Sequence, residues 1–176
     1  MSRLAALEQE TLSPEQAKVY AEIEAKGGRL GGPYNAYIRI PGFMRLNQEM
    51  GDYLRKNSLS GPLRQLIVLT TVKHWGAKYA WAVNARSAEK EGLSRAIVEA
   101  IEKGQEPVFK ETKERLAWTV ARELLNNKVI SDATYKEAVD VFGEASLADV
   151  VVTTGFYSMV SMTLNAFDID PPSAQA

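Results

Sequence analysis

Apolar residues in this chain recur at steps of three and four, in blocks opened by serine or proline and closed by glycine. Nowhere do they alternate over the length of a strand, so the pattern restricts the chain to packed helices and an all-α fold. Ser13-Pro14-Glu15-Gln16 reads as a helix start, because the Ser13 hydroxyl can accept from an orphan amide, Pro14 needs no donor there, and Gln16 completes a capping box. That helix is expected to reach about Lys26, where Gly27-Gly28 stops it. The run Leu30-Gly31-Gly32-Pro33-Tyr34-Asn35 predicts an irregular loop. After Pro41-Gly42, the residues Phe43, Leu46, Met50, Tyr53 and Leu54 predict an amphipathic helix. Ser60-Gly61-Pro62 opens a long one through Leu63, Leu66, Ile67 and Thr70, continuing past Trp75 to Glu91, with Gly76 either interrupting or bending it. Ser94 caps a short helix ended by Gly104, another runs from about Phe109 to Asn126, and a further one from Ser131 to Gly143. The last opens at Ser146 and reaches about Asn165, before Pro171-Pro172 and a small polar tail.

The chain has 176 residues, which suits a single domain: an N-terminal helix and glycine-rich loop over 1–42, a helical core over 43–167 and a tail over 168–176. Lys plus Arg number 21 against 22 Asp plus Glu, for a net charge of -1, so no field attracts a polyanion and nucleic acid is not an expected partner. The absence of cysteine removes thiol nucleophiles, dithiol redox chemistry and thiolate metal ligands together. One histidine, His74, rules out a multi-histidine metal site within one chain, and no metal is expected. The first residues run into Glu8 and Glu10 without the apolar core of a secretory signal, so the cytoplasm is the default location. The apolar stretch through Val150-Val151-Val152 and Phe156-Tyr157 is interrupted by Asp149, Thr153, Thr154, Ser158 and Asn165. It reads as the central element of a bundle or a subunit interface, not as a membrane span.

Three places hold side chains suited to chemistry. His74 is the one group with an unperturbed pKa near neutrality. On a continuous helix it would share a stripe with Ala77, Trp81, Asn84 and Ala88, lining either a pocket or a close helix contact. Tyr34, Asn35, Tyr37 and Arg39 either form a flap over a ligand, with Arg39 forking a carboxylate, or simply connect two helices. Tyr157 is either a phenolic donor or a core tyrosine with its hydroxyl satisfied. The paired glycines at 27–28 and 31–32 are not a nucleotide fingerprint, because no strand precedes them and no lysine-serine pair follows.

The run Leu63-Arg64-Gln65-Leu66-Ile67-Val68-Leu69, then Lys73-His74-Trp75-Gly76-Ala77-Lys78-Tyr79-Ala80-Trp81-Ala82-Val83-Asn84 and Gly92-Leu93-Ser94, resembles the carboxymuconolactone decarboxylase family, which includes the alkyl hydroperoxidase D-like proteins. Gly32-Pro33-Tyr34-Asn35-Ala36 with Pro41, Val129-Ile130-Ser131-Asp132 and Gly155-Phe156-Tyr157 extend the resemblance over most of the chain. It implies an all-helical, alkyl hydroperoxidase D-like fold, assembled as a homo-oligomer (a trimer or hexamer) with sites near subunit contacts. Hydroperoxidase members carry a glutamate, a Cys-x-x-Cys pair and a histidine four residues later. Those places fall on Gln65, Ala77, Ala80 and Asn84, so every titrating group is replaced and thiol peroxidase activity is excluded. The Glu-Trp-x-x-His pattern of cysteine-less members is also lost, standing here as Ala80-Trp81-Ala82-Val83-Asn84.

What the resemblance leaves is a cofactor-independent lyase, a decarboxylase or a relative of one, acting on a small carboxylated lactone or aromatic-derived acid in aromatic compound catabolism. His74, Tyr157, Asn84 and Gln65 are the candidate catalytic groups. Tyr34, Asn35, Arg39, Trp75, Tyr79 and Trp81 are the candidate substrate contacts. The alternative is a noncatalytic oligomeric ligand-binding protein that kept the fold after losing the family's acid, base and nucleophile.

Overall fold

The computed structural model describes residues 2–5, 7–26 and 31–171. The Gly27-Gly28 stop, Leu30 and the tail from Pro172 lie outside the described residues. A short 3-10 turn at Gln9–Thr11 leads into α1 (Pro14–Ala25), α2 (Tyr34–Tyr37), α3 (Pro41–Lys56) and α4 (Gly61–His74). Then come α5 (Lys78–Lys90), α6 (Arg95–Glu102), α7 (Thr112–Asn127) and α8 (Asp132–Ala166). No strand occurs among the described residues.

Local chemistry accounts for most boundaries. The Ser13 hydroxyl accepts from the Gln16 amide at 3.3 Å while Gln16 Oε1 accepts from the Ser13 amide at 2.9 Å, closing the expected capping box. The Ser131 hydroxyl likewise accepts from the Thr134 amide. Ser60 precedes α4 as expected, while Ser94 opens α6 without the expected side-chain cap. The loop expected over 30–35 is partly ordered as α2. Gly32 takes the turn at φ +55°, so Pro33 enters with its ring-fixed φ of −64° already helical.

Two features of the helices matter for the site. Residues 61–91 do not form one helix, because Gly76 adopts φ +61° and redirects the chain between α4 and α5. The other is the face that α3 buries. Met44, Asn47 and Leu54 point inward, whereas Leu46, Met50 and Tyr53, expected on the apolar face, are 60%, 43% and 53% exposed. The expected pair of C-terminal helices is present within the span labelled α8: they meet at a kink at Gly143, whose φ of 75° and ψ of 162° are not helical.

α4 is the axis of the molecule. Leu66, Ile67, Val68, Leu69 and Val72 have no exposed surface, and the helix packs against α5, α6, α7 and α8. Each such side chain contributes about 1.5–3 kcal/mol by leaving water, which is why a helix apolar on every side lies at the centre. A second cluster joins α1 to α2 and α3 through Val19, Ile23, Tyr37, Ile38 and Met44. Tyr37 ties this cluster to α8 with a 3.0 Å hydrogen bond between its hydroxyl and that of Thr163. By length and composition α8 could cross a membrane. It packs against α4, α5 and α7, and Asp149, Thr153, Thr154 and Ser161 are among its buried residues.

Candidate functional site

A cavity of about 220 Å³ opens where the segment before α2, the middle of α3, the first turns of α5 and the C-terminal half of α8 converge. Each segment contributes for a local reason. Gly32 lets the backbone pass directly beneath Tyr79, where a Cβ would overlap the ring. α5 starts afresh at Lys78, so its first turns direct Tyr79, Ala80, Val83 and Asn84 to the cavity wall. α8 supplies Phe156, Tyr157, Val160 and Leu164, at helical spacing on its inward face. From α3 comes Asn47.

The lining is aromatic, aliphatic and amide. No charged side chain among the described residues lines it. Burial pushes the phenols of Tyr157 and Tyr79 up, reinforced by the neighbouring Tyr34, so both stay protonated well beyond neutral pH. The Asn84 amide nitrogen donates to the Ala80 carbonyl one turn earlier, at 2.8 Å. Asn47 is 4% exposed, and its Nδ2 has no hydrogen-bond partner among the described residues.

Of the residues singled out in the sequence, Tyr34, Tyr79, Asn84 and Tyr157 meet in this cavity. The others lie elsewhere. His74 ends α4, before the break at Gly76, and lines a separate cleft of about 210 Å³ with Lys73, Trp118, Arg122 and Asn126. Burial lowers its pKa first and the Lys128 ammonium second, against a hydrogen bond with Asn126 that raises it. The stripe that would have placed His74 beside Asn84 requires an unbroken helix, and Gly76 removes it. Trp75, the cap of α4, packs edge-on to His74 at 5.8 Å and accepts on its carbonyl from Asn165. Trp81 points to the other side of α5, 5.8 Å beneath the Lys73 ammonium.

Arg39 donates to the carbonyls of Asn35 and Ala5, which fastens it to the N-terminal segment, and Asn35 itself is exposed. Gln65 is 6% exposed on α4 and donates weakly to Glu91 at 3.4 Å, while its own carbonyl oxygen has no partner among the described residues. Glu91 in turn pairs with Arg64 at 2.7 Å, joining the start of α4 to the end of α5. Sequence reasoning missed the aromatic wall residue Phe156 and, among the polar lining residues, Asn47. Its signal was present: a polar residue on the stripe Met44, Asn47, Leu54, which the stronger apolar stripe beside it obscured.

No protein-family model matches the sequence, and neither does any curated protein. Solved structures do match by shape. An uncharacterized peroxidase-related protein from Ralstonia eutropha, described as an alkylhydroperoxidase AhpD core, superposes with a TM-score of 0.80 over 98% of this chain and 93% of its own, at 15% identity. An uncharacterized peroxidase-related protein from a Silicibacter species gives 0.77 over 97% and 92% at 16% identity. A protein of unknown function from Agrobacterium tumefaciens gives 0.70 over 78% and 96%, also at 16% identity. The chain therefore has the alkyl hydroperoxidase D-like fold.

Proposed function

We propose that this protein binds a small organic molecule in the cavity between α3, α5 and α8, holding it by shape and uncharged hydrogen bonds, without thiol peroxidase chemistry. The observation that carries this reading is the lining itself: a cavity of about 220 Å³, walled by Tyr34, Tyr79, Phe156 and Tyr157, with amides as its other polar groups. Two of the neighbours are named peroxidase-related, but a sequence without cysteine has no thiolate to reduce a peroxide. Saturable stabilisation of the folded protein by single-ring organic compounds tests the reading, and its loss on filling the cavity with Ala80→Phe ties it to this site.

A lyase reading is supported by Tyr157, whose buried phenol stays protonated and in that reading gives a proton to the carbanion formed on loss of carbon dioxide. His74 takes no part in that reading, since it lines the other cleft. Incubation with carboxylated lactones, followed by product analysis of wild type and Tyr157→Phe, separates consumption of a ligand from binding alone. Self-association belongs to the same proposal. Leu46 and Met50 on α3 present apolar surface to solvent, and the mass of the particle in solution tests whether a second copy covers it.

A further inference from the structure

We infer that the cavity selects a neutral, carbonyl-bearing ring compound over an organic anion, and that Asn47 is the specificity-determining donor to its carbonyl oxygen. This rests on the cavity being a ligand site, as proposed above, sides with the binding reading against the lyase reading, whose substrate would enter as a carboxylate, and specifies the chemistry of what enters it. Two independent observations lead there.

The first is charge. A carboxylate entering the cavity meets no cation on its wall among the described residues; the Arg64 and Arg55 guanidiniums act on the Tyr157 phenol from beyond the wall, and Arg55 is paired with Asp52. Arg39, the side chain best shaped to fork a carboxylate, is engaged with the carbonyls of Asn35 and Ala5. Arg64 is engaged with Glu91. An unpaired anion in such surroundings carries a desolvation cost that phenol and amide donors alone offset poorly. A neutral molecule meets no such cost.

The second is the state of Asn47. Its side chain is 4% exposed, it lies on the cavity wall, and its amide nitrogen has no acceptor among the described residues. Buried amide donors in folded proteins are nearly always satisfied, and an unsatisfied one is costly. Asn84, the other amide on the wall, already spends a donor on the Ala80 carbonyl. The Asn47 nitrogen itself has almost no accessible surface, so a turn of the side-chain amide brings it to the cavity, where an acceptor that arrives with the ligand, a ketone, aldehyde, amide or lactone oxygen, completes it. The volume of about 220 Å³ suits one ring with a short substituent. Tyr34, Tyr79, Phe156 and Tyr157 provide faces and edges for that ring.

The test uses the full-length protein and matched triples of single-ring compounds sharing one shape, such as acetophenone, benzoate and ethylbenzene, titrated by calorimetry at neutral pH. The expected order places acetophenone about tenfold tighter than ethylbenzene, with benzoate weakest. Asn47→Leu, of similar volume, and Asn47→Asp, which keeps the shape but loses the donor, both abolish the preference for acetophenone over ethylbenzene. Asn47→Leu still binds ethylbenzene, which shows that the cavity has survived the substitution. Benzoate binding tightest, or a preference for acetophenone that persists in both variants, overturns the inference while leaving the cavity a ligand site. If no member of any triple binds, the ligand-site reading fails and the inference falls with it.

Discussion

Asp149 and Asn47 are equally buried, at 6% and 4% exposure, yet the structure treats them in opposite ways. Asp149, on α8, is surrounded by donors. The Tyr53 hydroxyl donates to its Oδ1 at 2.5 Å, and the Ser58 hydroxyl and amide donate to its Oδ2 at 2.7 and 3.0 Å. Burial pushes this carboxyl up, and the hydrogen bonds from Tyr53 and Ser58 more than offset that, holding it below the ordinary carboxylate range. Asn47, on α3, lines the cavity with an amide nitrogen that has no partner among the described residues. A buried polar group whose partners come from the chain is a clasp, here fastening the end of α3 to α8. Asn47 differs from other unpartnered buried groups such as Gln65 in lying on the cavity wall, which is why the proposal above brings its partner from outside.

The largest expected effect lies on the clasp. Asp149→Ala leaves the Tyr53 and Ser58 donors without their charged acceptor and is expected to lower unfolding free energy by about 2–3 kcal/mol in chemical denaturation. Asn47→Leu removes a group that makes no bond through its nitrogen and is expected to change stability by less than about 1 kcal/mol, in either direction. Equal losses in the two variants would break the comparison, since Asn47 would then be a structural residue as well. Gly32→Ala follows in size. Its backbone sits at φ +55° and its new Cβ overlaps the Tyr79 ring, so a loss of about 1–2 kcal/mol accompanies weaker ligand binding, read from the same melts with and without acetophenone.

The two regions should also differ in their response to pH. Because the folded Asp149 carboxyl lies below its unfolded value, the clasp contributes fully above the unfolded pKa of about 3.9. Its contribution is lost as pH falls through the folded value. Thermal melts on acidification should show this loss in wild type and a flatter profile in Asp149→Asn. The cavity should show no comparable dependence, since no carboxylate or imidazole lines it among the described residues and its Tyr79 and Tyr157 phenols are held protonated. The smallest expected effect is at His74. His74→Ala should leave affinity for acetophenone within about twofold of wild type, a difference of less than about 0.5 kcal/mol, because His74 lines the other cleft.

Helical periodicity, the Ser13 and Ser131 caps and the glycine stops made the all-helical architecture legible in the sequence. Those signals are local, and local chemistry decides where a helix starts. Which face of a helix turns inward is decided by its neighbours. α3 shows this: the stripe Leu46, Met50, Tyr53 is the more apolar, yet the stripe carrying Met44, Asn47 and Leu54 is buried. Tyr34, Tyr79, Asn84 and Tyr157 stand out in the sequence one by one, as aromatic and amide groups on separate elements; that they line one cavity is set by how those elements pack. Whether His74 pairs with Asn84 was not legible, because it depended on one backbone angle at Gly76. Arg39 looked available for a carboxylate because the carbonyls that engage it, of Asn35 and Ala5, carry no sequence signal.

The central claim is that an uncharged cavity waits on a carbonyl for Asn47. The most direct measurement is the side-chain amide resonance of Asn47 in a nitrogen-15 NMR titration, assigned by its disappearance in Asn47→Leu. The account expects a saturable downfield proton shift with acetophenone, little change with ethylbenzene and none with benzoate. An amide signal unmoved at saturating acetophenone, or one that responds to benzoate, would contradict it.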